Sequence, residues 1–510
     1  MTEVLVVGAG PAGLAAAVHA RSRGADVVLL DADDTLGGQF WRHLPATRPA
    51  RREAVLHHGW QRFTGLRQRL AGDPGCRVLT GAQVWALEQA EGRAPTVHVL
   101  AGEADGPSRT AWTFTPDALV LATGAHDRTL PFPGWDLPGV FTAGAAQALA
   151  KGERVAVGRR VLVAGAGPFL LPVAASLAQA GARVVGVLEA SGGARLARGW
   201  LPRPWQLLGA GGKIAELGGY ARTHLRHRIP YRAGAAVVAA HGDDRVTAVT
   251  VAALDPSWAP VPGSGRRVEV DAVCVSHGFT PRLELALAAG CLISARRTVL
   301  VDEAQRTSVP GVHAAGEITG IGGAELALAE GALAGHCAAG GAPGDPEVRE
   351  AARRRGTFTA FAARIEAAHA IRPGWTAWLD DTTTVCRCEE VTAGTLEAVA
   401  AATRSQGLRS LKLSTRAALG ICQGRVCGHT VEELLARHAP GGRLLGDTTT
   451  DRRSIAAPVR LGELAGGSGH FDADRPDRPR PPTGPGVPAP PDPAAGDPPI
   501  PDPTASRGTP

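Results

Sequence analysis

The sequence predicts an α/β protein: two Rossmann-like dinucleotide-binding units, a small helical four-cysteine module, and a disordered tail. Three observations carry this prediction. Two strand–glycine turn–helix–strand units begin near Val4 and Val161, a domain-scale repeat about 157 residues apart, and strands alternating with helices argue for parallel sheets. Four of the eight cysteines gather at 386, 388, 422 and 427. Beyond about residue 466 the composition turns to Pro, Gly and Asp, which cannot bury enough apolar surface to order itself.

In the first unit, the apolar run Val4–Val7 meets Gly8-Ala9-Gly10-Pro11-Ala12-Gly13, and an alanine-rich helix follows. In such a turn Gly8 permits the sharp bend, Gly10 lets backbone approach a pyrophosphate, and Gly13 lets helix and strand pack closely. The helix start offers N–H groups and partial positive charge to phosphate. Asp31 ends the second strand, where a carboxylate can accept from ribose hydroxyls. Two later stretches favour FAD over NAD here. Thr123-Gly124 follows the buried run 118–122, and 307–324, TSVPGVHAAGEITGIGGA, resembles the second FAD fingerprint of two-dinucleotide flavoproteins. In that fingerprint an aspartate binds the ribityl chain; Glu317 stands in its place, one methylene longer. Gly323 and Ala324 are expected to open a helix whose amides face the flavin and stabilise charge on the reduced ring.

The second unit keeps two glycines of the pattern, Gly165 and Gly167, but has Leu170 for the third and Pro172 inside the helix. Leu170 separates helix from strand, and Pro172 lacks an N–H. Glu189 at the next strand end suits a ribose 2′-hydroxyl and disfavours a 2′-phosphate. The residues therefore favour NAD over NADP and leave open whether nicotinamide binds at all.

Cys386-Arg-Cys388 and Cys422-x4-Cys427 lie 33 residues apart. Two close thiolate pairs can enclose a metal centre. Thr392 is placed to cap one helix, and a second helix is expected from about Arg425 to His438. The spacing departs from paired C-x2-C zinc knuckles and suits a [2Fe–2S] cluster, with a four-cysteine zinc site as the rival. No cysteine pair of a disulfide reductase accompanies either dinucleotide unit.

Composition bounds the remaining readings. With 44% apolar and 20% charged residues the chain is ordinary for a globular protein, and 4% aromatics leave the cores to Ala, Val and Leu. The formal charge of +6 is scattered and forms no aromatic-interleaved patch, so no nucleic-acid site is expected. No run of 18 apolar residues predicts a membrane span. The N-terminus enters a strand without a basic leader, so a cytoplasmic location is expected. There, eight cysteines do not form a disulfide framework; Cys76, Cys274, Cys291 and Cys337 are expected to be buried thiols.

Longer stretches resemble one family. LGGQFWR (36–42), ATGAHDRTLPFPGWDLPGVFTAGAAQ (122–147), GFTPRLEL (278–285), the run 307–327, and VCRCEEVT with GICQGRVCGHT are similar to the large flavin subunits of opine oxidase, hydrogen cyanide synthase and dye-linked proline or D-hydroxyproline dehydrogenases, with sarcosine oxidase alpha related. The resemblance covers about residues 3–463. It implies a two-dinucleotide-binding-domain flavoprotein with a BFD-like [2Fe–2S] domain: an FAD-binding domain in two parts, 1–150 and 291–340; an inserted NAD-binding-like domain, 151–290; a helical linker, 341–380; the cluster domain, 381–465; and the Pro-rich tail, 466–510. It places FAD contacts at Gly8, Gly10, Gly13, Asp31, Gly38, Gln39, Thr123, Gly124 and Glu317, and cluster ligands at Cys386, Cys388, Cys422 and Cys427.

The resemblance also implies a partner. A smaller flavoprotein subunit, similar to D-amino-acid or glycine oxidases, would oxidise the amine, while this chain relays electrons to an acceptor such as a quinone, a dye or O2. That fits the lack of a visible substrate clamp or catalytic base. Two other readings stand beside it: a self-contained NADH-dependent reductase of a ferredoxin, quinone or dye, and a non-catalytic scaffold stapled by zinc.

Overall fold

The computed structural model describes residues 2–438 except 51–52, 105, 107–108 and 406, together with 452–453, 455–465 and 469–470. Most of the expected tail therefore lies outside the described residues; within it, Gly469–His470 pair in parallel with Trp112–Thr113.

Each repeat unit builds a five-stranded parallel sheet. The first runs Val312–Ala314, Ala118–Leu121, Glu3–Val7, Asp26–Leu30, Cys76–Leu79. The second runs Tyr231–Ala233, Arg183–Glu189, Arg160–Gly165, Ala272–Ser276, Val140–Thr142. Their near-continuous Val/Leu runs follow from burial on both faces. Each unit also carries a three-stranded antiparallel meander, 82–114 in the first and 235–269 in the second. The chain crosses between units through a short antiparallel pair, Ala125–Asp127 with Phe279–Pro281. One boundary differs from expectation: Val140–Thr142, inside the segment assigned to the first domain, pairs in the second sheet.

The scarcity of aromatics has a structural counterpart. Helix Pro11–Ser22 and helix Ala324–Ala338 pack with almost no side chain between them. A Cβ on Gly331 would overlap the Ala12 carbonyl, and one on Gly335 the Ala16 carbonyl. Both contacts step by four residues in the same sense, so the helices are parallel and start at the same end.

Between the flavoprotein body and the cysteines, helix Arg349–His369 and the turn Pro373–Trp378 form the linker. The turn-rich segment 256–265 receives it: Trp258 is buried and stacks on Trp378, whose Nε1 donates to the Trp258 carbonyl at 2.8 Å. The four-cysteine module has strand Thr384–Cys386 and helices Ala393–Thr403, Leu408–Thr415 and Gly428–Ala436. The last helix is shorter than expected, because Cys422–Cys427 is held in turns. Thr392 caps the first as expected, accepting from Thr395 N. One core cluster joins Trp135, Val237 and Trp258 of the second unit to Val385, Leu396 and Val431 of the module. Among the described residues, no helix is long and apolar enough to cross a membrane.

The helix pair gives a stability test. Gly331→Val drives a branched side chain into the Ala12 carbonyl and is expected to cost about 3 kcal/mol in urea unfolding. Gly218→Ala, in a helix with open space around it, should instead gain roughly 0.5–1 kcal/mol.

Candidate functional site

The two parallel helices open onto one cavity of about 1680 Å³. At its first wall, Gly8 has φ +102°, and a Cβ there would overlap the Ala122 carbonyl; on Gly13 it would overlap the Gly8 carbonyl. Gly10 differs: its nearest neighbour to such an atom is Gly38 Cα at 4.0 Å, so space remains above it. Gly38, at φ +56°, closes from the other side, where a Cβ would come within 2.9 Å of Gly10 Cα. Asp31 accepts from Ala9 N at 2.5 Å and from Asp33 N at 2.8 Å, tying the strand end to the glycine loop. Burial pushes its carboxyl up to about 6. Gln39 lines the cavity and accepts from Arg42 Nε at 3.2 Å. Thr123 Oγ1 donates to the Arg282 carbonyl at 2.9 Å, and Gly124 has open space above it.

At the far wall the geometry departs from expectation. Glu317 faces the cavity, but its Oε1 accepts from Gly323 N at 2.8 Å, and the Gly322 amide also bonds to it. The extra methylene lets the carboxylate reach back and cap the start of helix Ala324–Ala338. One amide expected to face the flavin is therefore already engaged. Burial pushes the Glu317 carboxyl up to about 7, against the lowering effect of the two amides. Gly323, at φ +81°, has open space around it.

Three groups at this site belong to no sequence motif. Glu330, buried on the same helix, accepts from Gly316 N at 2.8 Å and Thr319 Oγ1 at 2.7 Å and so fixes the loop bearing Glu317. Lys151 is buried on the cavity wall, and its Nζ donates to the Phe40 carbonyl at 3.1 Å. Burial lowers it to about 8. Glu216 accepts from Lys213 at 2.7 Å and from Tyr220 at 2.7 Å on the same wall. A compositional cue existed: the chain has only three lysines, and Lys151 and Lys213 both line this cavity.

The second glycine loop is built alike: Gly167, at φ +108°, has open space above it and lines the same cavity, whereas its acidic partner is covered. A Cβ on Gly165 would overlap the Ser276 carbonyl. Glu189 accepts from Gly167 N at 2.8 Å, from Ser191 N at 2.9 Å and from His369 Nδ1 at 3.1 Å. Trp200 Nε1, which can only donate, bonds His369 Nε2 at 3.2 Å, so the ring's proton sits on Nδ1 and points at Glu189. Glu189 is fully buried. The expectation that it meets a ribose is corrected for this conformation, because helix Arg349–His369 covers it. Arg364 locks that helix by donating to the carbonyls of Trp200 at 2.8 Å and Arg203 at 2.7 Å.

Cys386, Cys388, Cys422 and Cys427 converge on one side of the module. Their sulfurs form a chain of contacts from 386 to 427, 422 and 388, with backbone amides, Val426 N among them, donating to Cys386 and Cys422. The S–H of Cys427 and those amides hold Cys386 down to about 6 and Cys422 to about 4. Four converging thiols of this kind can hold a [2Fe–2S] cluster. Left-handed backbone at Glu390, Arg416, Ala418 and Gln423 wraps the group, strain of the kind that collects at functional sites. The cavity reaches this module: His126 and Arg425 both line it, and His126 Nε2 donates to the Arg425 carbonyl at 2.9 Å.

Glu317→Gln keeps an oxygen for Gly323 but removes the titration. A carboxyl raised in the fold contributes stability below its ordinary value of 4.5 that is lost as pH rises through about 7. Unfolding of the FAD-free protein should therefore show wild type losing stability relative to the variant between pH 5 and 8. A Cβ on Gly420 would overlap Cys388 Cβ, so Gly420→Val should abolish the iron content and the reduced EPR signal while flavin absorbance is kept.

The chain is similar to known proteins over most of its length. The family model described as pyridine nucleotide-disulphide oxidoreductase matches residues 2–335, and the BFD-like [2Fe-2S] binding domain matches 384–437. One opine oxidase subunit of Rhizobium meliloti is 32% identical over 491 residues, covering 91% of this chain and 87% of its own. Hydrogen cyanide synthase subunit HcnB of Pseudomonas aeruginosa is 32% identical over 477 residues, covering 87% and 94%. The L-proline dehydrogenase of P. horikoshii shares the fold, with a TM-score of 0.61 at 19% identity over 91% of this chain and 79% of that one. The cofactors of these domains are FAD and a [2Fe–2S] cluster, and the space above Gly10, Gly124 and Gly323 and the four converging sulfurs fit them. The chain is an FAD-dependent oxidoreductase of the pyridine nucleotide-disulphide oxidoreductase family, in the group that includes HcnB and that opine oxidase subunit.

Proposed function

We propose that this chain is the relay subunit of a heteromeric amino-acid, opine or amine dehydrogenase or oxidase. The C–N bond is oxidised on a separate small flavoprotein subunit, of the kind that resembles D-amino-acid or glycine oxidases. Its electrons enter here and leave for a quinone, a dye or O2. FAD supplies two-electron acceptance and the cluster single-electron passage. The residues assigned to FAD are Gly8, Gly10, Gly13, Asp31, Gly38, Gln39, Thr123, Gly124, Glu317, Gly323 and Ala324. Those assigned to the cluster are the four cysteines at 386, 388, 422 and 427. The glycine loop and Asp31 bind and orient, Glu317 and Glu330 set the helix start, and Lys151 places a cation over the Phe40 ring.

The single observation that carries the reading is the shared wall. One cavity runs from Gly8 and Gly10 to Arg425, inside the Cys422–Cys427 loop. The competing NADH-reductase reading needs Glu189 to face a nucleotide beside Gly167; Gly167 opens on the cavity, and the cover of His369 over Glu189 stands against that reading.

Anaerobic mixing with NADH separates the two. The relay reading expects no flavin bleaching over minutes, and co-purification of a small flavoprotein from the native host. Bleaching within seconds that Glu189→Ala abolishes would establish the reductase instead.

A further inference from the structure

The contact between His126 and Arg425 continues into the cysteine loop. His126 follows the Thr123-Gly124 turn on the crossing strand Ala125–Asp127, and its ring lines the cavity. A carbonyl only accepts, so the proton of that hydrogen bond belongs to His126 Nε2. The Arg425 carbonyl is one end of the Arg425–Val426 peptide. The other end, Val426 N–H, donates to the Cys422 sulfur. One imidazole and one peptide thus join the cavity wall to a cluster ligand through two consecutive hydrogen bonds.

A donor on a peptide oxygen polarises the group and strengthens the bond made by its N–H. Hydrogen bonds to ligand sulfurs stabilise the more negative, reduced state of an iron–sulfur cluster and raise its potential. Arg425 is itself fixed: its Nε donates to Glu284 at 2.8 Å and its Nη2 to the Ala456 carbonyl at 2.6 Å. These contacts anchor the Arg425 side chain beside the cysteine loop.

We propose that His126 is a positioning residue for electron transfer, which polarises the Arg425–Val426 peptide, holds the cluster potential up, and bridges the flavin cavity to Cys422. The proposal rests on the relay reading only for its purpose; the potential itself is set within this chain. With both groups bound, a reduced flavin would give up its two electrons singly, the cluster passing the first to an acceptor before taking the second and the flavin proton going to solvent.

The test uses the full-length protein with flavin and iron loaded, reduced chemically so that no partner is needed. His126→Phe keeps a ring of similar size without the donor, and His126→Gln keeps an N–H of similar reach. An EPR-monitored redox titration of the Phe variant should show a more negative cluster potential with unchanged iron and flavin content. Flavin-to-cluster transfer after rapid photoreduction should slow at least tenfold. The Gln variant should recover both. His126→Asn carries the same amide but falls short of Arg425; it should copy the Phe variant, and it covers the case in which Phe does not fold. An unchanged potential in Phe and Asn, or a Gln variant no better than Asn, would reduce His126 to a structural contact and overturn the proposal. Absence of a co-purifying subunit would remove the relay reading but leave the predicted shift in potential intact.

Discussion

Everything at the flavin end depends on how closely two helices approach. Helix Pro11–Ser22 and helix Ala324–Ala338 are separated by more than 300 residues of chain, yet Gly331 and Gly335 lie directly against the Ala12 and Ala16 carbonyls. No larger residue fits, and the parallel sense places both N-termini at one cavity. Two helix starts bring partial positive charge to the same place. One stands over the glycine loop for a pyrophosphate and the other across the cavity at Glu317. An alanine- and glycine-rich composition is what this approach requires. Core stabilisation then comes from many small contacts rather than from aromatic bulk.

The two dinucleotide units share a loop-and-carboxylate plan and differ in what covers the carboxylate. Asp31 and Glu189 do the same first task, accepting an amide of the glycine loop, Ala9 N in one unit and Gly167 N in the other. What differs is what stands above them. Asp31 remains on the cavity wall, whereas Glu189 is roofed by His369 at the end of the linker helix. A buried carboxylate is costly unless its acceptor capacity is met, and His369 with two amides meets it. The linker is thus part of the second unit's core chemistry as well as a tether to the cysteines.

The parts that were legible in the sequence are those whose physics is local. Gly8, Gly10 and Gly13 answer to backbone geometry within six residues, and the two cysteine pairs to the reach of one loop each. Thr392 could be read as a cap because its partner, Thr395, lies three residues on. The illegible parts depend on distant partners. Lys151 meets Phe40 111 residues away, and His126 meets Arg425 299 residues away; neither has a pattern of its own. Glu317 falls between these cases. Its position was visible from the fingerprint, but its extra methylene redirected it to Gly323, an outcome that needs coordinates. The Val140–Thr142 boundary was missed for a similar reason, since a three-residue strand takes its identity from the sheet it joins.

The cysteine module is joined to the flavoprotein body as a core is, and this bears on how electrons leave. Trp135 Nε1 donates to the Thr384 carbonyl at 2.5 Å, Arg128 pairs with Glu433 at 2.8 Å, and Arg425 and Arg453 share Glu284. Such partly buried pairs add little net stability but penalise any docking that leaves one partner alone. With Val385, Leu396 and Val431 packed into the second unit's apolar cluster, sliding the module would expose that surface and strand those charges together. A relay that worked by swinging a cluster domain would need a weak, polar interface of the kind separable domains show. This interface is apolar at its centre and ion-paired at its edge. It argues for transfer across a fixed gap, whose rate is set by the groups that fill it and by the cluster's potential, with no domain motion in the path.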